Sequence, residues 1–195
     1  MYAIIQSILS IVISIVMQTA VIGSVQVDPA TEVNDFMEGL QAGTSTVVNK
    51  YMDNDYVNML ENSGDKDASK SMYKYIFENF KYEIVDTATK GNVAVAKVKV
   101  TNCDFSQVIK SYDKESYKYV TDHLYDNTIM DKSKLSKKCL DIYVKQLKKV
   151  ADKGKASEHT IYLPLESNDH YGWEVLISDS IMKTILGNLE IPNSK

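Results

Sequence analysis

The hydrophobic pattern divides this chain into an uncharged segment and an amphipathic body. No charged side chain precedes Asp28, and charges occur throughout the rest of the chain. Residues Ala3 to Val25 are mostly apolar, and a bilayer core takes roughly 20 apolar helical residues to cross. The pattern therefore predicts a signal or transmembrane anchor segment over residues 1–27, either cleaved or retained, and a single extracytoplasmic domain over residues 28–195.

The body begins with helical periodicity. Asp28 can cap a helix that has Pro29 at its first position, and Gly43 can end it. Apolar residues three and four apart between these two ends predict one buried face. Two further helical stripes follow, before and after a loop at residues 62–65. The residues of the three predicted stripes are Val33, Phe36, Met37 and Leu40; Val48, Met52, Tyr56 and Leu60; and Met72, Ile76 and Phe80.

The period then changes to two, which is typical of strands. Residues 82–88 and 94–100 alternate around a turn at Gly91, and residues 161–165 and 173–177 form a second such pair. Each pair predicts a β-hairpin with one solvated face. Between the hairpins, helical periodicity returns over about residues 105–153, and Asp179 is the predicted cap of a last helix.

Helices and hairpins that do not alternate one by one predict an α+β fold. We expect a curved antiparallel sheet, made of the two hairpins and packed on the N-terminal helices in a cone-like arrangement. The segment at residues 105–153 is then a helical insertion between the hairpins, and residues 1–27 form an N-terminal hydrophobic helix.

Charge and composition restrict the function. All basic residues are Lys and none is Arg. Arg is the preferred ligand of phosphates and base edges, so its absence argues against a nucleic-acid reader or a phosphoryl-transfer site. Lysines dominate residues 131–155, which indicates either a basic face for an anionic lipid surface or wall polymer, or the solvated side of an amphipathic helix.

Several weak motifs together resemble a known group of proteins. They are the acidic helical start, the strands at Tyr82–Ile84 and Val93–Thr101, the strand Gly172–Val175 and the closing Ile185–Gly187. They are similar to the uncharacterised secreted lipoproteins of Gram-positive bacteria in the nuclear transport factor 2-like superfamily, which has a cystatin-like α+β cone. The resemblance implies a sheet wrapped around helices to enclose a cavity, and an extracytoplasmic location. It supplies little chemistry, because the group itself has no assigned function.

The end of the apolar segment resembles a bacterial lipobox with one departure. Val21-Ile22-Gly23 is followed by Ser24, where a lipobox has a lipid-bearing Cys. A serine hydroxyl cannot replace the thiol, so lipidation is not expected at this position.

The candidate cavity residues are Tyr82, Asp86 and Trp173. Strand alternation predicts Tyr82 and Asp86 on one side of the sheet. Some members of the resembled superfamily isomerise or dehydrate small molecules with a cavity carboxylate and a tyrosine. The resemblance therefore implies Asp86, in a low-dielectric cavity, as a general base and the Tyr82 hydroxyl as the group that stabilises an oxyanion. The alternative is that Asp86 faces water near the strand end.

Other catalytic chemistry has no support in the sequence. No two of His123, His159 and His170 have metal-ligand spacing, and no triad or phosphate-loop motif is present. We therefore predict no catalytic residue, no metal and no cofactor. Cys103 and Cys139 either form a disulfide or are two packed thiols.

The sequence thus favours a non-enzymatic, secreted or membrane-anchored domain that binds a small apolar ligand, a cell-envelope component or a partner protein. The alternative is a small cavity enzyme that uses Asp86 as its general base. We expect association with the membrane through the N-terminal segment and no nucleic-acid partner, and the sequence leaves the oligomeric state open.

Overall fold

The computed structural model describes residues 27–43, 66–125, 127–168 and 172–190. The predicted membrane segment at residues 1–27 lies almost wholly outside the described residues, as do Ser24 and the predicted helical stripe from Val48 to Leu60. Within the described ranges, no helix has both the length and the apolar composition needed to cross a bilayer.

The chain is an α+β protein with a four-stranded antiparallel sheet in the order β1-β2-β3-β4. The described elements, in chain order, are α1 (Pro29–Ala42), α2 (Lys66–Phe77), β1 (Lys81–Lys90), β2 (Val93–Cys103), α3 (Val108–Asp122), α4 (Asn127–Met130), α5 (Lys132–Lys153), β3 (Ala156–Asn168), β4 (Gly172–Val175) and α6 (Asp179–Ile185).

Helix α1 begins and ends at the residues that the sequence predicts. The Asp28 carboxylate accepts a hydrogen bond from the Ala30 backbone N–H at 2.9 Å, Pro29 is the first helical residue, and Gly43 ends the helix in the left-handed conformation with φ 64°. The predicted apolar stripe of α1 is buried, and α1 packs against β1, β2 and β4. Local sequence signals were sufficient here because both caps are short-range interactions.

The two predicted hairpins are confirmed, and they join into one sheet through β2 and β3. Val98 lies opposite Ile84 on one side and Ile161 on the other, and Leu165 lies opposite Val175. These apolar residues form the inner face of the sheet, which packs against α1 and belongs to a single core cluster. Within the described residues, the side chains of this core cluster therefore cover the inner face of the sheet.

A β-bulge in β1 changes the predicted alternation. The register shifts between Ile84 and Asp86, so that Asp86 lies opposite Lys97 while Tyr82 lies opposite Val100. Directly opposed residues of an antiparallel pair share a face, and one extra residue reverses the faces of all that follow. Tyr82 is thus on the inner face and Asp86 on the outer face, and the prediction that they share a side was wrong.

The helical insertion separates β2 from β3 in sequence and is confirmed as α3, α4 and α5. Helix α5 packs against α2, α3 and α4. Its Tyr143, Leu147 and Ala151, spaced four apart, are buried. The Tyr143 hydroxyl donates a hydrogen bond of 2.9 Å to the Glu190 carbonyl, and the Asn79 side-chain amide donates one of 3.0 Å to the Ala151 carbonyl. The insertion is therefore anchored to the rest of the domain along one face of α5.

The last helix begins one residue earlier than predicted. Its cap is Ser178, whose hydroxyl accepts a hydrogen bond from the Ile181 N–H at 3.4 Å, while Asp179 is already helical. After α6 the chain turns at Gly187 and returns to the end of β2. The Phe105 N–H donates a hydrogen bond of 2.6 Å to the Gly187 carbonyl. Both Cys103 and Cys139 are free thiols, which corresponds to the packed-thiol alternative.

Candidate functional site on the helical insertion

Charge is separated between the insertion and the rest of the chain. The insertion and the two residues that follow it, residues 105–155, contain twelve Lys and seven acidic residues, a net charge of +5. The whole chain carries −4, so the remaining residues together carry −9. An anionic partner is therefore attracted to the insertion and repelled by the rest of the protein.

The lysines of α3 and α5 are exposed, while Val108 of α3 and Tyr143 and Leu147 of α5 are buried in the core. On α3, Lys110, Lys114 and Lys118 are spaced four residues apart and share one side. On α5, Lys138 and Lys145 are seven apart and likewise share a side, away from buried Tyr143 and Leu147. We refer to these two helices with their exposed lysines as the basic helical pair.

A polar cleft of about 270 Å³ lies between α3 and α5. It brings together residues that are 15 to 31 positions apart in sequence, because α3 packs along α5. Three lysines (Lys118, Lys138 and Lys145), three carboxylates (Glu115, Asp122 and Asp141), Tyr119, His123, Ile142 and Gln146 line it. In the described part of the chain, neither Lys118 nor Lys145 forms an ion pair, so their ammonium groups are available to a ligand.

Tyr119 and His123 form an aromatic pair at the wall of the cleft. Their ring centroids are 4.3 Å apart with an interplanar angle of 31°, and the Lys138 Nζ lies 5.4 Å from the Tyr119 ring centroid. His123 Nδ1 is 2.8 Å from the Tyr119 carbonyl oxygen. A carbonyl only accepts, so Nδ1 carries a proton and Nε2 is the ring nitrogen left for another partner.

Gln146 and Tyr112 show how the basic helical pair is held together beneath the cleft. Gln146 is buried, and its side-chain oxygen accepts a hydrogen bond of 3.1 Å from Lys149 Nζ. Tyr112 packs edge-to-face on Tyr143 with ring centroids 5.7 Å apart. Burial, with a further contribution from Cys139, raises the pKa of Tyr112 to about 12, so this phenol stays neutral and acts in packing.

Asp131 fixes the start of α5 next to the cleft. Its carboxylate accepts hydrogen bonds from the backbone N–H groups of Ser133 and Lys134 at 3.1 and 3.2 Å. These bonds, first that of Lys134, lower the pKa of Asp131 below its usual value. The carboxylate is thus ionised and committed to the helix cap.

The chemistry that these groups support is binding by charge and hydrogen bonding. Ammonium groups suit phosphate or carboxylate groups, and the adjacent carboxylates suit hydroxyl donors. In the ranges that the structure describes, no three His, Cys, Asp or Glu side chains are grouped closely enough to hold a metal ion.

The residues predicted from the sequence as cavity-lining are not part of this cleft. Tyr82 is half-buried, and its hydroxyl donates a hydrogen bond of 2.7 Å to the Asn34 side chain of α1. Burial, and then the charges of Glu38 and Asp35, raise the pKa of Tyr82. Asp86 is exposed, and its carboxylate accepts a hydrogen bond from the Thr87 N–H.

Trp173 lies in the core at the other edge of the sheet. It is on β4 opposite Ser167 and is 3 % exposed. Its indole Nε1 has no hydrogen-bond partner among the described residues. The structure therefore does not bring Tyr82, Asp86 and Trp173 together as one site.

Sequence reasoning missed the α3 half of the cleft. The lysine-rich stretch at residues 131–155 was noticed, but Lys118, Tyr119 and His123 were not connected with it. Their signal is a spacing of four residues between Tyr119 and His123, which puts both rings on one side of α3. The pairing of α3 with α5 is a tertiary contact that the spacing alone does not reveal.

Comparison with known proteins identifies no family. No protein-family model matches the chain, and no curated protein matches it significantly in sequence. A solved structure similar to it is that of "a putative lipoprotein (ycdA) from Bacillus subtilis subsp. subtilis str. 168", with a TM-score of 0.40 and 15% identity. The match covers 82% of this chain and 46% of that one, so the chain spans less than half the length of that protein. A likeness of this degree carries no functional conclusion, and the nuclear transport factor 2-like assignment stays a prediction.

Proposed function

We propose that this protein is a non-enzymatic, extracytoplasmic domain that binds an anionic component of the cell envelope through the basic helical pair. In this proposal the apolar segment from Ala3 to Val25 either tethers the domain to the membrane or directs its export, and Ser24 leaves it without a lipid at the lipobox-like position. The cone-like shape and the N-terminal hydrophobic helix belong to the same proposal.

The observation that supports this proposal is the separation of charge. The whole chain has a net charge of −4, but two adjacent exposed helices and the segments that flank them have a net charge of +5. A solvated helix face needs charges of either sign but no excess of one sign, so the excess favours an anionic partner. The cleft adds specific donors to this long-range attraction, namely Lys118 and Lys145.

The enzyme alternative receives no comparable support. A general base of the predicted kind needs a low-dielectric site, and Asp86 is exposed on the outer face of the sheet opposite Lys97. The inner face next to Tyr82 is occupied by core side chains such as Val98 and Val100. We therefore propose the binding function and not the enzyme.

The proposal is tested by the affinity of the detergent-solubilised full chain for labelled polyphosphate, a simple polyanion, with dextran as the neutral control. We expect binding that weakens strongly between about 0.05 M and about 0.5 M salt. The double variant Lys138→Gln/Lys145→Gln should bind about 25-fold more weakly, since a lysine near an anionic surface contributes about 1 kcal/mol.

The matched control is Lys81→Gln/Lys90→Gln, which removes two exposed lysines from β1 instead. Circular dichroism should show unchanged helix content in both double variants. If the two variants lose the same affinity, only the total charge matters and the basic helical pair is not the site. If the wild-type chain does not bind polyphosphate at low salt, the proposed function is wrong.

A further inference from the structure

The exposed apolar side chains of the described residues are concentrated at one end of the basic helical pair. Tyr125, Met130, Tyr117 and Leu124 are 97%, 81%, 76% and 52% exposed, and they are the four most exposed large hydrophobic residues of the part of the chain that the structure describes. All four lie within fourteen consecutive positions. Single exposed apolar residues are ordinary, but a concentration of them marks an interaction surface.

Leu124, Tyr125 and Met130, which we name the apolar tip, are held in place by the surrounding helices. Leu124 and Tyr125 are two and three residues past the end of α3, and Met130 is the last residue of α4, which packs against α5. The Leu124 N–H donates a hydrogen bond of 3.4 Å to the Thr121 carbonyl, and Asp131 caps α5 immediately after Met130. The Leu124 backbone is thus tied to the last turn of α3, and Met130 adjoins the capped start of α5.

Lysines surround the apolar tip in the sequence. Lys118 precedes it by less than two helical turns, and exposed lysines begin two positions after Met130, at Lys132, Lys134, Lys137 and Lys138. The acidic residues of this stretch are Asp122, Asp126 and Asp131. Since Asp131 is used in the helix cap and lies 3.5 Å from Lys134, the excess charge around the tip is positive.

We propose that the apolar tip inserts into the interface of an anionic lipid bilayer while the surrounding lysines bind the lipid headgroups. This inference rests on the proposed function and names the bilayer as the envelope component. Tyr places its ring at the headgroup level with its hydroxyl toward water, and Leu and Met extend into the acyl boundary. Lys side chains reach anionic headgroups from just above that level.

A bilayer fits the tip better than a soluble polymer or a protein partner. A polyanion such as a wall polymer would be bound by the lysines alone and would leave Leu124, Tyr125 and Met130 in water. Protein interfaces are enriched in aromatic residues, Met and Arg but depleted in Lys. Apolar residues within a cluster of lysines are the composition of a membrane-surface site.

The test uses Tyr125→Trp in the full chain, reconstituted into liposomes that carry brominated lipids, which quench a nearby indole. In phosphatidylglycerol liposomes we expect the new Trp to shift its emission to shorter wavelength and to lose most of its intensity. Pure phosphatidylcholine liposomes should produce neither change. The native Trp173 is buried in the core, and the wild-type chain supplies its background signal.

The matched control is Tyr162→Trp on the outer face of the sheet, where Tyr162 is 44% exposed. This variant should not be quenched in either lipid. Quenching of Tyr162→Trp without quenching of Tyr125→Trp would overturn the proposal, because the sheet would then be the membrane-facing surface. Equal quenching of Tyr125→Trp in both lipids would also overturn it, since the lysines would have no role.

A second variant separates this inference from the proposed function. Leu124→Ser/Met130→Ser, made in the Tyr125→Trp chain, should lose the spectral shift and keep its polyphosphate affinity. The wild-type chain could bind polyphosphate through Lys138 and Lys145 while Tyr125→Trp is never quenched. In that case the proposed insertion of the apolar tip is wrong, and the basic helical pair remains the binding surface.

Discussion

The sheet and the helical insertion bury apolar residues in the same way but expose different surfaces. On the outer face of the sheet, opposite charges face each other across strands: Glu83 lies opposite Lys99 and Asp86 opposite Lys97, and Lys99 Nζ is 3.4 Å from the Glu158 carboxylate. In the insertion the lysines outnumber the acids, and the cleft lysines Lys118 and Lys145 lack such partners among the described residues. The opposite charges on the outer face of the sheet balance one another, whereas the excess positive charge of the insertion is suited to an external anion.

The sheet and the helical insertion also differ in what stabilises them. The sheet is stabilised by long-range pairing of four strands around a continuous core. The insertion is held by the buried face of α5 and by a few connections at the end of β2, where Cys103 and Phe105 approach Gly187. Those connections tie the start of the insertion to the C-terminal turn at Gly187.

The largest expected effect comes from Gly187→Ala, which disrupts the close approach of Gly187 to Cys103 and Phe105. A Cβ at Gly187 would lie 1.9 Å from the Cys103 carbonyl oxygen, and the glycine has a φ of +62°. We expect a loss of at least about 3 kcal/mol in the free energy of unfolding, because a backbone clash is added to the left-handed conformation. Urea denaturation followed by circular dichroism measures it.

Gly91→Ala is the control, since Gly91 has the same φ of +62° and no atom within 4 Å of the added Cβ. It should cost about 1 kcal/mol, the penalty of the conformation alone. Equal losses in the two variants would mean that the approach of Gly187 to Cys103 does not stabilise the domain.

A smaller effect is expected from acid, through the cap of α5. The pKa of Asp131 is lowered in the folded protein, so its contribution to stability is complete above its unfolded pKa and is lost as the pH falls through the folded value. Asp131→Asn keeps an oxygen that accepts the same backbone hydrogen bonds without titrating. The thermal midpoint of the wild type should therefore fall slightly more than that of Asp131→Asn between pH 6 and pH 3.

Asp113→Asn, on the exposed side of α3, is the control for charge alone, because among the described residues the Asp113 carboxylate accepts no hydrogen bond from a backbone N–H at a helix start. If both asparagine variants change the acid response of the thermal midpoint equally, the cap is not the cause. Neither substitution should alter the midpoint by as much as Gly91→Ala.

The sequence was most informative where structure is set locally. The caps of α1 at Asp28 and Gly43 and the end of α5 near Gly154 depend on neighbouring residues, so composition and spacing identify them. The cap of α6 was placed one residue late because Ser178 and Asp179 are both good caps. Only the backbone geometry distinguishes them.

The sequence was least informative where the outcome depends on distant partners. The bulge after Ile84 moves Asp86 to the outer face, and its origin lies in the pairing of β1 with β2, so alternation along β1 could not predict it. The cleft likewise requires Tyr119 and His123 of α3 to meet Lys138 of α5. The charge of the insertion was readable from the sequence, but its geometry was not.

The central claim is that the insertion, and not the sheet, faces the anionic envelope. Hydrogen–deuterium exchange of the full chain in phosphatidylglycerol nanodiscs, compared with phosphatidylcholine nanodiscs, tests it most directly. The account predicts slower exchange in phosphatidylglycerol for amides around Leu124, Tyr125 and Met130 and at the start of α5, with β1 and β2 unchanged. Slower exchange confined to the strands, or none in any part of the insertion, would contradict it.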